Sequence, residues 1–401
     1  MDSLRNPFTP GAGAPPPELA GREEIIENAR VALERIRRGR PAKSLLLIGL
    51  RGVGKTVLLN RLRQNAEAAG IRTVRIEAPE NRSLPAILAP QLRQALLALS
   101  TTAKASAMAK RGLRALAGFA KGLKIKYADI EVGFDAEPEP GLADNGDLEH
   151  DLQSLLEVAG QAAQAAESAL VLFIDELQYV PEEQLAALIT ALHRASQSTL
   201  PVTLIGAGLP QLPGRMGNAK SYAERLFDFP TIGPLDDDAA RQAIANPLHA
   251  EGVSIKPDAL QAILTNAQGY PYFLQEWGKH AWDAAIASPI ILADIEQASI
   301  TAVAALDESF FRVRFDRLTP AEKRYLRAMA ELGPGPHRSG EIARVLQKKV
   351  TAVGLTRANL IAKGMVWSPD HGDTAFTVPL FDTFMKRIMP GTTWLTDPAG
   401  G

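Results

Sequence analysis

The chain has 401 residues, 46% hydrophobic and 22% charged, with a formal net charge of −1, the composition of a soluble globular protein of two or three domains at ~100 to 200 residues each. No apolar run approaches the ~18 residues of a membrane span, and the Gly- and Pro-rich start, Met1–Pro17, lacks the pattern of a secretion signal, so a cytoplasmic protein without integral membrane association is expected. The absence of cysteine excludes disulfides, thiolate metal sites and thiol nucleophiles, and the six histidines show no metal-ligand spacing.

In chain order, residues 1–20 read as an irregular arm. Gly21-Arg22-Glu23 then opens a helix whose apolar positions Ile25, Ile26, Ala29, Leu33 and Ile36 keep helical spacing up to Gly39. Ser44–Ile48 is a short apolar run between Pro41 and Gly49, the pattern of a buried strand, and Thr56–Ala69 is helical up to a stop at Gly70. Arg72–Glu77 alternates as a strand and Leu84–Leu99 returns to helix. Ala169–Ile174, Val202–Ile205 and Phe227–Ile232 are further strand candidates, separated by helices near 182–196 and 218–226. Strands alternating with helices predict an α/β core over 21–235, built on a parallel sheet covered on both faces.

One segment, 101–151, interrupts this rhythm. Thr101–Ala128 holds seven basic residues and no acidic one, whereas Asp129–Asp151 holds nine acidic residues and no Lys or Arg. Met108, Leu116, Phe119 and Leu123 share one helical face while Lys110, Arg114, Lys121 and Lys124 share the other, which makes a basic amphipathic helix. Such a helix either docks on the sheet with its charge met by the neighbouring acids, or meets a partner or a membrane surface.

From Asp236, where Asp236–Asp238 is placed to cap a first helix, helical patterns dominate to about Leu306 and predict a helical lid over 236–306. Residues 307–390 show three helices, Thr319–Ala330, Ser339–Leu346 and Thr351–Lys363, then two short strands, Met365–Ser368 and Thr374–Val378. That is the pattern of a winged helix, followed by a tail, 391–401. Between Ser309 and Pro390 fourteen Lys and Arg stand against seven Asp and Glu, so this stretch is +7 and the rest of the chain −8, a balance that points to a polyanionic partner.

Gly49-Leu50-Arg51-Gly52-Val53-Gly54-Lys55-Thr56 follows a strand and opens a helix, the context in which GxxxxGK[ST] is a phosphate-binding loop. Its glycines let successive backbone N–H groups turn toward phosphate oxygens at a helix N-terminus. On that reading Lys55 reaches the β- and γ-phosphates and Thr56 ligates Mg2+, while Arg51, Val53 and Val57 complete the ATP contacts. Leu170–Ile174 delivers Asp175 and Glu176 to the carboxyl end of a buried strand, where ligands of parallel sheets bind. Asp175 fits a magnesium partner and Glu176 the base that orients the attacking water, although Glu176 is also placed to do no more than start the next helix. The expected reaction is hydrolysis of ATP to ADP and phosphate.

These motifs resemble the AAA+ and STAND side of the P-loop ATPases, most of all the bacterial and archaeal ATPases related to the ORC/Cdc6 initiators, over about residues 15–390. The resemblance implies an AAA+-like P-loop core, a helical lid and a C-terminal winged-helix domain. Leu19-Ala20-Gly21-Arg22-Glu23 is similar to the family's opening segment, whose fold covers the adenine, which brings Arg22 to the nucleotide. Two departures favour a slow switch over a fast motor. Gly206-Ala207-Gly208-Leu209 stands where many relatives show a polar sensor, with Gln211 as a substitute. Gly269-Tyr270-Pro271-Tyr272 stands where initiator-like proteins carry an arginine and resembles the glycine-x-proline element of STAND switches, so Pro271 packs near the nucleotide without sensing charge. Arg225 stands where relatives keep an arginine finger for a neighbouring subunit's ATP, which implies a nucleotide-dependent homo-oligomer. The alternative for Arg225 is a helix-end cation paired with Glu224 or the helix dipole.

In the tail, Lys348, Lys349, Thr351, Thr356, Arg357 and Lys363 surround the expected recognition helix, the lysines and threonines suited to phosphates and Arg357 to a base edge of DNA. The sequence therefore reads as an ATP-binding, slowly hydrolysing switch that couples nucleotide state to DNA binding. A STAND-type signalling ATPase whose tail binds protein is the main rival. A phosphotransferase fits less well, because Glu176 beside Asp175 suits activation of water.

Overall fold

The computed structural model describes residues 1–11, 13, 15–78, 82–124, 126–127 and 136–395. Five strands, β1 (Ser44–Ile48), β2 (Arg72–Glu77), β3 (Leu170–Asp175), β4 (Val202–Gly208) and β5 (Phe227–Asp228), form one sheet in the order β2-β3-β4-β1-β5. All neighbours pair in parallel. Every residue of β3 and β4 is buried, as continuous apolar strands covered on both faces must be. The register sets Ile48 beside Gly208, with β3 ending at Asp175 on the other side of β4, so loop and carboxylates emerge at the same end of the sheet. The strand expected over Phe227–Ile232 is cut to its first two residues. Pro230 has no N–H for the ladder, and only its carbonyl is used, accepting from Ile48 N at 3.0 Å.

The basic helix runs over Ala103–Leu123 and docks on the core: Leu116, Phe119 and Leu123 are fully buried. Gly112 lets Leu96 of the preceding helix approach, since a Cβ there would meet Leu96 Cδ2 at 2.7 Å. Arg111 donates to Glu139 at 3.3 Å and Lys126 pairs with Glu183, so part of the positive charge is met by acids. Residues 128–135, which begin the acidic stretch, lie outside the described residues. The rest of that stretch leads into a helix absent from the sequence reading, Leu148–Ala165, where Asp147 accepts from His150 N at 2.8 Å and Glu149 and Asp151 occupy the first turn. Three of the nine acids, Asp147, Glu149 and Asp151, thus stand at a helix N-terminus, where negative charge is favourable. The helix expected near 218–226 is two helices, Leu212–Ala219 and Ala223–Leu226.

Beyond the sheet come four helices, Asp237–Ala250, Pro257–Ala267, Pro271–Ala284 and Leu292–Ala305, then a π-helical stretch, Leu306–Phe311, and a short helix, Arg312–Phe315. The C-terminal region follows in the order helix Pro320–Leu332, β6 (His337–Arg338), helices Ser339–Val345 and Val350–Ala362, β7 (Val366–Trp367), β8 (Asp373–Phe376) and helix Phe381–Ile388. Its strands pair antiparallel in the order β6-β8-β7, one more than the sequence pattern revealed, because a two-residue strand has no periodicity to read.

Lid and C-terminal region share one apolar core. Phe310 packs edge-on against Phe273 of the lid at 5.5 Å, while its neighbour Phe311 stacks on Phe384 of the last helix at 5.2 Å. The N-terminal arm joins the same core. Phe8 is 2% exposed and lies where a side chain on Gly278 would stand, Trp282 Nε1 donates to Asp2 O at 2.9 Å, and Asn6 donates to Lys279 O at 3.1 Å. The arm is thus irregular, as expected, yet fastened along the lid. No helix among the described residues is long and apolar enough to cross a membrane.

Candidate nucleotide site

The loop after β1 owes its path to three glycines. A Cβ on Gly49 would lie 2.2 Å from the Ile232 carbonyl oxygen, and Gly52 and Gly54 have φ of 81° and 88°, a left-handed backbone that costs glycine little. Gly54 then caps helix Lys55–Ala68, whose N-terminus points its free N–H groups into the cleft. Lys55 Nζ donates to the carbonyls of Gly49 at 2.9 Å and Leu50 at 2.8 Å. Burial of this ammonium pushes its pKa down to about 8, opposed by the nearby charges of Glu176 and Asp175. Thr56 Oγ1 donates to Asp175 Oδ2 at 2.6 Å, and burial raises the Asp175 carboxyl against that hydrogen bond. A hydroxyl and a carboxylate in contact at the mouth of a phosphate loop are the hard oxygen donors that Mg2+ requires, so these residues fit it.

Glu176 sits in the left-handed region, φ 54°, with its N–H donating to Asp175 Oδ1 at 2.8 Å. That conformation is costly for a residue with a side chain, and such outliers collect at functional sites. Its carboxylate accepts from Gln178 Nε2 and faces Arg51 Nη1 at 3.6 Å. Gln178 is held in turn by Leu209 N, which donates to Gln178 Oε1 at 3.1 Å. Gly208 leaves room for this arrangement, since a Cβ there would lie 3.0 Å from Gln178 Oε1. The sequence reading missed Gln178. Its signal was the Gly206-Ala207-Gly208 run ending a buried strand, where small residues mark a close approach. Gln211 borders the cleft as expected, with a buried Oε1 that has no hydrogen-bond partner. Arg215, also missed, donates to the carbonyls of Gln178 and Val180.

Loop and carboxylates open into a cavity of about 1510 Å³ that the arm, the lid and the C-terminal region also border. The loop is hydrogen-bonded to both of the latter: Tyr272 N donates to Gly52 O at 3.2 Å, and Arg51 N donates to Thr377 O at 3.0 Å. Arg51 Nη2 donates to Tyr179 OH at 2.7 Å, and Gly364 closes over this pair, its absent side chain only 3.3 Å from each. Arg22 Nη2 donates to Gly233 O at 2.6 Å, tying the opening segment to the end of the sheet at the cavity wall. Pro271 starts a lid helix 3.9 Å from where a Gly54 Cβ would stand, an uncharged contact with the loop. Gly52, Val53 and Val57 border the same cavity.

The remaining predicted residues separate. Arg225 is exposed on its short helix and does not border its own chain's cavity. Lys348, Lys349 and Thr351 are exposed at the N-terminal end of helix Val350–Ala362, and Thr356 is half-buried. Two expectations need correction. Arg357 is not presented to a groove: it donates to Thr374 Oγ1 at 2.8 Å, Ser368 Oγ at 2.8 Å and Asp373 O at 2.7 Å, binding the helix to the β7–β8 hairpin. Lys363 lies at the opposite end of the helix from Lys349 and pairs with the buried Glu322 at 2.7 Å, because a buried carboxylate demands a cation.

With this geometry in hand, the comparisons fall into place. Residues 18–205 match the family model described as the AAA ATPase domain. Over those residues the chain is similar to an AAA ATPase domain. Residues 308–385 match a domain of unknown function. Among solved structures, the Walker-type ATPase PABY2304 of Pyrococcus abyssi is similar at 16% identity and a TM-score of 0.57, covering 92% of this chain and 96% of that one, a likeness of fold alone. The Aeropyrum pernix Orc1 protein in complex with DNA aligns at 16% identity and a TM-score of 0.45, covering 93% and 94% of the two chains. The Thermotoga maritima RuvB Holliday junction branch migration motor aligns at 17% and 0.43, covering 91% and 96%. No curated protein matches the sequence.

On that likeness each of the assembled groups fits a part in binding nucleotide. Loop N–H groups and Lys55 are placed where they would meet phosphate oxygens, Lys55 now being held by two loop carbonyls. Thr56 and Asp175 would hold Mg2+, which would neutralise phosphate charge when bound. Glu176, held by its left-handed backbone and by Gln178, has a carboxylate that could accept a proton from water.

Proposed function

We propose that this protein is an ATP-binding, slowly hydrolysing switch in which nucleotide state controls how the C-terminal region, read as a winged helix, docks on the phosphate loop, and thereby its DNA binding. The bond from Arg51 N to Thr377 O carries the reading, because it ties an N–H of the phosphate loop to that region. Docking engages the Lys363–Met365 end of helix Val350–Ala362, while Lys348, Lys349 and Thr351 stay exposed at the N-terminal end, the end that helix-turn-helix proteins present to bases. The +7 charge of residues 309–390 favours a polyanion. Slow turnover agrees with the uncharged lid contact of Pro271 and with Gln178 and Arg51 restraining Glu176. Exposed Arg225, off its own cavity, is free to serve a neighbouring subunit's ATP in a homo-oligomer.

Anisotropy of a labelled duplex tests this with ATP-loaded Glu176→Gln, with ADP and without nucleotide, over a salt series. The reading expects binding that weakens steeply with salt and differs between nucleotide states. No binding to duplex at low salt ends the DNA reading. Protein signalling then takes its place, a second reading favoured by Val350 and Leu355, which are 52% and 75% exposed on the same helix. Release of free phosphate with ADP excludes a phosphotransferase.

A further inference from the structure

Most cations bordering the nucleotide cavity are committed to oxygen partners. Arg22 is held by the Gly233 carbonyl, Arg215 by those of Gln178 and Val180, Arg51 by Tyr179, and Lys363 by Glu322. Arg314 differs. It lies in helix Arg312–Phe315, inside the segment 308–385, donates to the Phe310 carbonyl of its own turn, and has its guanidinium 4.3 Å from the Phe310 ring centroid. Neither contact neutralises its charge. Phe310 stacks on Tyr272 at 4.7 Å, and both rings' residues abut Gly52: a Cβ there would meet Tyr272 Cβ at 3.6 Å and Phe310 Cζ at 3.7 Å. The platform that carries Arg314 therefore stands on the phosphate loop. Burial, with Arg51 as a like-charged neighbour, pushes the Arg314 pKa down to about 10, while Tyr272, Glu176 and Tyr179 act in the opposite sense. Arg314 lines the same cavity as Glu176, Arg51 and Tyr179. Arg51 and Arg314 both line this cavity, where a phosphate would meet positive charge from each. Among the described lid residues that border the cavity none is basic, so the lid offers a phosphate no alternative cation.

We propose that Arg314 donates to the γ-phosphate of ATP bound in the same chain. The contact rests on the ATP reading above and deepens it. ADP offers no γ-oxygen, so the bond exists in the ATP state alone, and it reaches the loop from the segment that leads into the C-terminal region. Hydrolysis and phosphate release remove the only charged group that joins helix Arg312–Phe315 to the nucleotide, which gives the docked region a direct reason to move.

The test is the ratio of ATP to ADP affinity, measured calorimetrically with Mg2+ on the full chain in the Glu176→Gln background, for Arg314, Arg314→Gln and Arg314→Lys. A charge-assisted hydrogen bond lost from the ATP complex alone should weaken ATP by about tenfold to a hundredfold and leave ADP within about twofold. Arg314→Lys keeps charge but loses the planar fork, so its ratio falls as well, by less; it carries the test alone if Arg314→Gln does not fold. Equal weakening of ATP and ADP assigns Arg314 a structural role and overturns the contact, as does an unchanged ratio. Failure of the Glu176→Gln parent to bind ATP overturns the contact together with the reading beneath it.

Discussion

The two walls of the nucleotide cleft are built by different rules. The core wall is made of short polar groups fixed by backbone: Thr56 on Asp175 at 2.6 Å, Lys55 on two loop carbonyls, and Glu176 turned by a left-handed φ of 54°. The facing wall, from the arm, the lid and the C-terminal region, is mostly apolar and aromatic, with long side chains such as Arg314 standing on Tyr272 and Phe310. A wall fixed by backbone positions chemistry with little freedom, whereas a wall resting on a shared apolar core shifts as a body. Chemistry should therefore fail with core-wall substitutions and communication with those on the other side.

The largest effect should come from Glu176→Gln, which preserves shape and removes the base. Phosphate release should fall by about 10²- to 10⁴-fold with ATP still bound, and turnover like that of the parent would move the catalytic base elsewhere. Lys55→Met comes next and should act in two directions. ATP affinity should fall by at least about tenfold, because the loop loses its cation. Stability without nucleotide should instead rise, since the folded state holds Lys55 near a pKa of about 8, below the ordinary lysine value of 10.5 that an unfolded chain retains. Below pH 8 the folded protein bears the full cost of a buried ammonium. As pH rises from about 8 to 10.5 the folded group sheds its proton before the unfolded one, and the parent recovers that stability. The gain from Lys55→Met should accordingly be on the order of 1 to 3 kcal/mol at pH 7 and fade toward pH 10.5, read by denaturant unfolding. A gain independent of pH would contradict the buried charge.

On the facing wall, Arg357→Ala should destabilise the C-terminal region by about 1 to 3 kcal/mol, because it releases three hydrogen bonds and orphans their acceptors. It should leave the salt dependence of DNA binding almost unchanged. Lys349→Ala should do the reverse, flattening the logarithmic salt slope by up to about one unit at little cost in stability. Exchange of these two phenotypes would return Arg357 to the DNA surface.

The sequence makes the core wall legible and the facing wall much less so, for a physical reason. A phosphate loop and a strand-end Asp175-Glu176 pair are local: spacing, glycine and a buried apolar run specify them within a few residues. Arg314 acquires its place only when Phe310 meets Tyr272, a contact between two helices far apart in sequence. Gln178 becomes a support for Glu176 only because Gly208 lets it through from the next strand. The same limit explains the corrections in the tail. Arg357 and Lys363 look free in a one-dimensional charge count, yet the hairpin and the buried Glu322 claim them once the chain folds. The sheet, by contrast, was readable throughout except where Pro230 truncates β5, and the docked arm was not, since Phe8 lies alone in a Gly- and Pro-rich stretch with no periodicity around it.

The most direct test is amide hydrogen exchange of residues 49–56 and 361–378 in Glu176→Gln with ATP, with ADP and without nucleotide. If nucleotide controls the docking of the C-terminal region on the loop, protection of the Arg51 amide, now bonded to Thr377 O at 3.0 Å, and of the segment around Gly364 will change between the ATP and ADP states. Identical exchange of both segments in all three states, with nucleotide demonstrably bound, would contradict the switch.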